Sequence, residues 1–224
     1  MAVVFDLDGT LIDSVYHHVL AWQRAFSDVL GDEHTPDASR LHGLIGLGAA
    51  GLVHHIERSL GLGPLGAERV ASIQRAHAEA FARMPRVSAT RGAVALLASL
   101  RARNVAVAIA TSGVATGVAR VLSDSGLAEV TAGIDLVTGS DIAHPKPAPE
   151  SFQRAAQALG EPASACMVVG DSRWDMIAAR RAGMVGIGVR CGGQAPETLH
   201  SAGAVLVLDD PMAILERCDE LGLT

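Results

Sequence analysis

Three apolar runs along the chain each end in a polar residue followed by turn-forming residues. AVVF (2–5) leads into Asp6, VAVAIA (105–110) into Thr111, and CMVVG (166–170) into Asp171. Short runs rich in Val and Ile, separated by helix-length stretches, predict buried parallel strands of an α/β sheet. VGIGV (185–189) and AVLVL (204–208) follow at the same spacing. Helical patterns fill 91–103, 114–125, 149–160, 173–183, 194–202 and 211–221. This alternation predicts a doubly wound, Rossmann-like parallel sheet with right-handed crossovers. In such sheets ligands bind beyond the carboxyl ends of the strands, where Asp6, Thr111 and Asp171 fall.

The interval between the first strand and the next is far longer than a crossover needs. It carries amphipathic helical patterns such as SVYHHVLAWQRAFSDVL from Ser14 and AGLVHHIERSL before Gly61. We therefore expect an α/β core domain of residues 1–14 and 87–224, with an all-helical domain, 15–86, inserted into it. The hinges are expected near Leu11–Ser14 and Arg86–Thr90.

Composition narrows the function. At 224 residues, 49% hydrophobic and 19% charged, the chain is long and apolar enough to bury a substantial core. No apolar run approaches the ~18 residues of a membrane helix. The start, MAVVFDLDGT, lacks the basic and long apolar regions of a signal peptide. Cys166, Cys191 and Cys218 are odd in number and widely spaced, with no CxxC, which disfavours disulfides or zinc and fits a reducing cytoplasm. A net charge of −6 with scattered arginines argues against nucleic acid as a partner. A monomer or a homodimer is compatible with the sequence.

The candidate chemistry begins at Asp6-Leu7-Asp8-Gly9-Thr10. In an extended segment residues i and i+2 share a side, so both carboxylates can reach one site. Their repulsion favours one ionised and one protonated group, a pairing suited to a nucleophile beside a general acid/base. Alone, an Asp-Gly turn after a strand is common. Lys146 is more unusual: it is the single lysine among 18 basic residues, set between Pro145 and Pro147. A compact ammonium and a planar, forked guanidinium are not interchangeable, so the lone lysine marks a position whose chemistry requires an ammonium.

Four segments in order, DLDGT (6–10), ATSG (110–113), HPKPAPE (144–150) and GDSRWD (170–175), make the chain resemble the haloacid dehalogenase superfamily. The resemblance is to its phosphatases with a helical cap, the branch of phosphoglycolate phosphatases and β-phosphoglucomutases. It implies that Asp6 attacks phosphorus to form an aspartyl-phosphate and that Asp8 is the general acid/base. It further implies that Thr111, with Ser112, Gly113 and Lys146, binds the phosphoryl group. The implied cofactor is Mg²⁺, held by Asp6, the backbone carbonyl of Asp8 and Asp171, with Asp175 in support. Asp175 can equally be an acid placed for a helix N-terminus. His18 in DSVYHHVLAW matches a histidine that faces the active site in capped relatives, although Val15 and Tyr16 replace a common Glu-Pro and Gly43 stands where a basic residue is frequent.

The implied activity is Mg²⁺-dependent hydrolysis of a small phosphorylated metabolite. The alternatives are a phosphomutase, which uses the same four segments, and a non-catalytic binding or regulatory protein. Asp8 disfavours dehalogenation, and the absence of lysine from 15–86 disfavours phosphonate cleavage through a Schiff base. Gly46-Leu-Gly48-Ala-Ala-Gly51 spells GxGxxG, but no strand pattern precedes it and it is read as a turn with close helix packing. Seven of the nine histidines fall within 15–86, and adjacent ones such as His54 and His55 point to different sides of a helix.

Overall fold

The structure is a computed structural model that describes residues 1–224, the side chain of residue 116 excepted. Six parallel strands form one sheet: β1 (Ala2–Phe5), β2 (Val107–Ala110), β3 (Asp135–Val137), β4 (Cys166–Gly170), β5 (Val185–Val189) and β6 (Ala204–Leu208), in the order β3-β2-β1-β4-β5-β6. That order is the doubly wound one, and its topological switch point lies between β1 and β4. β1 and β4 sit at the centre with every residue buried, so they read as continuous apolar runs. Five of the strands coincide with the apolar runs.

The sheet is covered by α5 (Ala93–Ala102), α6 (Ala115–Asp124), α7 (Glu150–Ala158), α8 (Arg173–Ala182), α9 (Pro196–Ala202) and α10 (Pro211–Leu215). One core layer joins Val4, Ala108 and Val168 of the sheet to Phe152, Ala155, Ala178 and Ala179 of α7 and α8. α10 is shorter than the expected 211–221 helix, because after Leu215 the chain continues as turns that close with Leu223 N donating to Cys218 O.

The chain divides into two compact units, residues 1–13 with 86–224 and residues 14–85. The second unit is helical: α1 (Val15–Leu30), α2 (Ala38–His42), α3 (Ala49–Ser59) and α4 (Gly66–Ala82). Val15, Val19, Trp22 and Phe26 recur at helical spacing on the buried side of α1, which packs chiefly on α4. The GxGxxG segment spans the turn before α3 and that helix's first three residues, and a Cβ at Gly51 would stand 3.2 Å from the Leu47 side chain. In the first unit the segments leading to and from the helical one run side by side. Ile12 bridges Ala89 in antiparallel sense, and Asp13 N donates to Ser88 O at 2.9 Å.

Candidate active site

Three strand ends and one loop deliver the polar groups of the first unit to one place. Asp6 follows β1, and its N–H donates to Val169 O at 2.9 Å, tying it to the end of β4. Asp171 follows β4, Thr111 follows β2, and Lys146 lies in the loop before α7. That loop is folded back by Glu150, the first residue of α7. Its carboxylate accepts from Ala143 N at 3.2 Å and His144 N at 2.8 Å. These backbone donors, with Arg154 and the His144 ring, pull the Glu150 pKa down to about 2.

Lys146 is 1% exposed and reaches the centre of the cluster. Its ammonium contacts Asp6 Oδ1, Asp175 Oδ1 at 2.7 Å and Ala110 O at 3.2 Å, with the Phe152 ring 4.8 Å away. Burial works against its charge, but Asp175 and Asp6 outweigh burial and hold the pKa above the ordinary lysine range. Asp175 is fully buried and divides its two oxygens. Oδ1 takes Lys146, while Oδ2 accepts from Ser172 N at 3.0 Å and Ser172 Oγ at 2.5 Å. The second set forms a capping box at the start of α8. The approach needs Gly170, where a Cβ would lie 2.5 Å from that of Asp175. Asp175 thus contacts Lys146 in the cluster and also stands at a helix N-terminus.

One carboxylate oxygen from each of Asp6, Asp171 and Asp175 lies within 4.8 Å of the others, all three buried. Burial pushes the Asp6 pKa up to about 7; Lys146 opposes this, and Asp175 and Asp8 add to it. Burial likewise raises Asp171 well above the usual carboxylate range, with Asp175 and Asp6 adding to the effect. Three buried acids face one ammonium, so their full ionisation would leave excess negative charge, and the donor set offers only oxygen atoms. A hard divalent cation fits that chemistry.

Of the remaining expected residues, Thr111, Gly113 and Asp8 gather close by. Thr111 is buried; its Oγ1 donates to Asp8 Oδ2 at 3.3 Å and accepts from Gly113 N at 3.0 Å. This holds the Thr111-Ser112-Gly113 turn beside Asp8, with Gly113 O accepting from Gly139 N at 2.8 Å. Asp8 is half-buried. His18 belongs to the helical unit, where its Nδ1 is 3.1 Å from His77 Nε2 and its ring stacks on Phe81 at 4.1 Å. Trp22 stacks on His77 at 3.9 Å.

The sequence reading gave no role to Thr10, yet its fully buried hydroxyl lies 3.2 Å from Asp171 Oδ1 and 3.5 Å from Asp6 Oδ2. Its signal was present as the last letter of DLDGT. The His18–His77 pairing was also missed, since the partners lie on α1 and α4 and no local spacing links them.

The fold and these side chains define a doubly wound α/β protein with an acid–lysine cluster at the topological switch point. A family model described as haloacid dehalogenase-like hydrolase matches residues 1–183, and the chain belongs to that family. It is 31% identical over 215 residues to a phosphoglycolate phosphatase of Rhodospirillum rubrum, covering 93% of this chain and 87% of the relative. A plasmid phosphoglycolate phosphatase of Cupriavidus necator is 33% identical over 215 residues, covering 95% and 90%. A solved hydrolase structure from Pseudomonas syringae superposes with a TM-score of 0.91 at 36% identity, covering 98% of both chains.

Proposed function

We propose that this hydrolase is a Mg²⁺-dependent phosphatase of a small phosphorylated metabolite, with 2-phosphoglycolate the first candidate substrate. The observation that carries the reading is the single buried lysine bound to Asp6 and Asp175, beside Asp8 and Asp171 at the strand ends. The relatives named phosphoglycolate phosphatase, matched over most of both chains, point to the substrate. The free cysteines, two of them buried, fit work in a reducing cytoplasm.

In this reading Asp6 is the nucleophile. Lys146 holds the Asp6 oxygen that does not attack and neutralises charge on the transferring phosphoryl group. Asp8, set by Thr111, donates a proton to the departing alkoxide. It then takes one from the water that cleaves the aspartyl-phosphate and regenerates Asp6. Thr111, Ser112 and Gly113 receive the phosphoryl oxygens on hydroxyl and backbone donors. Asp6, Asp171 and the Asp8 carbonyl would hold Mg²⁺, with Asp175 supporting them through Lys146 and the start of α8. When bound, the ion offsets negative charge between Asp6 and the phosphoryl group. The helical unit, including His18, is assigned the choice of substrate and of whether water or a sugar hydroxyl accepts the phosphoryl group.

The test is a panel of glycolate, sugar, nucleotide and pyrophosphate substrates assayed for released phosphate with Mg²⁺. Phosphoglycolate is expected to give the highest kcat/KM. Isomerised hexose phosphate without free phosphate would establish the phosphomutase instead. No turnover of any ester would leave a binding protein.

A further inference from the structure

The loop Arg190–Gln194, which follows β5, carries none of the four sequence segments that define the site. It nevertheless touches all three backbone segments that bear the acids. Cys191 Sγ donates to Gly9 O at 3.1 Å and lies 3.8 Å from Thr10 O, on the turn that carries Asp8 and the Thr10 hydroxyl. Gly192 is buried directly behind Asp171, and a Cβ there would overlap the Asp171 carboxylate. Gln194 is buried, and its Oε1 accepts from Arg173 N at 3.0 Å, at the first residue of the helix that holds Asp175.

We propose that Arg190–Gln194 is a positioning clamp for the metal-binding acids, with the Cys191 thiol fixing the Asp8–Thr10 turn through the Gly9 carbonyl. The inference rests on the Mg²⁺-dependent reading above and adds residues to it. Gly9 has φ +83°, so its peptide can rotate easily in isolation. A donor on its carbonyl restricts that rotation and so sets the direction of the Asp8 carbonyl just before it. The next residue, Thr10, spans Asp6 and Asp171 through its hydroxyl. One thiol thereby restrains the Asp8 carbonyl, which would meet the cation, and the Thr10 hydroxyl, which contacts two of the acids that would hold it. Other roles for the thiol fit less well. Burial, with Asp171 nearby, pushes Cys191 up to about 12, so at neutral pH it stays a protonated donor and a poor nucleophile. Free Cys is a weak donor, but Sγ–O contact at 3.1 Å is close for sulfur.

Cys191→Ala and Cys191→Ser are similar in size, and only serine keeps a donor, so their difference isolates the hydrogen bond from packing. Mg²⁺ affinity would be measured by isothermal titration calorimetry on wild type and both variants, with melting of the metal-free proteins in parallel. The expected result is a Kd for Mg²⁺ about three- to tenfold weaker in Cys191→Ala. Cys191→Ser should recover most of that loss, while the two metal-free variants melt together. Equal Kd values for wild type and Cys191→Ala overturn the clamp and leave the phosphatase reading standing. Equal losses in Ala and Ser overturn the donor role. A wild-type protein that takes up no Mg²⁺ overturns the phosphatase reading and the clamp together. Gly192→Ala supplies a second arm: it should weaken Mg²⁺ binding more than Cys191→Ala does, and a wild-type Kd there would overturn the placement of Asp171 by this loop.

Discussion

Replacing Lys146 by arginine or by methionine separates the charge of this position from its shape. The lysine is 1% exposed and its ammonium contacts two buried carboxylates, Asp6 and Asp175, and the Ala110 carbonyl. Methionine fills much of the same volume without charge and leaves both acids unpaired. Breaking a buried pair from one side costs about 3–5 kcal/mol. Here the lower end is expected, because Asp6, already near 7, can take up a proton once Lys146 no longer opposes it. Arginine keeps the charge, but its planar fork must enter a space bounded by Asp6, Asp175, Ala110 O and the Phe152 ring. Overpacking of that kind costs about 1–3 kcal/mol. The stability order should therefore be wild type, Lys146→Arg, Lys146→Met, read by urea denaturation at pH 7 without metal. Activity should not follow that order. The ammonium is expected to be set for the reacting oxygens, and loss of one such preorganised donor costs on the order of 10²–10³ in kcat. Both variants should fall to that range with saturating substrate and Mg²⁺. A Lys146→Arg enzyme with near wild-type kcat would refute the reasoning, since a positive charge of any shape would then suffice.

Asp6→Asn should fold and melt at or above the wild-type temperature, since it removes a carboxylate whose charge burial disfavours. It should have no measurable turnover; a rate near wild type would sink the covalent mechanism. Chelation with EDTA should stop phosphate release and added Mg²⁺ restore it, and activity indifferent to chelator would exclude the metal. The metal-free protein should lose stability as pH rises. Asp6 sits near 7 in the fold against 3.8 unfolded, and Asp171 is raised in the same direction, so their contribution is complete below about pH 4 and fades through neutrality. Mg²⁺ should reverse that trend, so its stabilisation of the melting temperature grows between pH 6 and 8 on the order of several degrees; a pH-independent shift would contradict the raised acids.

Five strands were legible as unbroken apolar runs, which burial on both faces explains for the central β1 and β4, while β6 at the edge stays apolar even with Val205 exposed. β3 was not, for a physical reason. It has three residues, Asp135 and Leu136 are exposed, and it lies at the sheet's edge, so burial imposed no pattern on it. The site divides the same way. Asp6, Asp8, Thr111, Lys146 and Asp171 each stand at a strand end or in a proline-flanked loop, which local sequence marks. Cys191 and Gly9 are 182 positions apart, and only the neighbouring of β1, β4 and β5 brings their loops together. Contacts made by sheet order leave no local trace.

Sheet order also explains why the cluster carries so much charge. The switch point between β1 and β4 places the ends of two adjacent strands, and hence Asp6 and Asp171, within reach of one another. Each strand end supplies its own acid, and the start of α8 adds Asp175. Lys146, the one ammonium in contact with these acids, arrives from a separate loop held back by Glu150. With one ammonium among three buried acids, the protein alone cannot keep all of them ionised, which is why burial drives Asp6 toward neutrality. A nucleophile must be ionised to attack. In the mechanism proposed above, where Asp6 is the nucleophile, the topology that assembles the cluster also creates its need for a cation, and supplying that cation would make Asp6 competent at neutral pH.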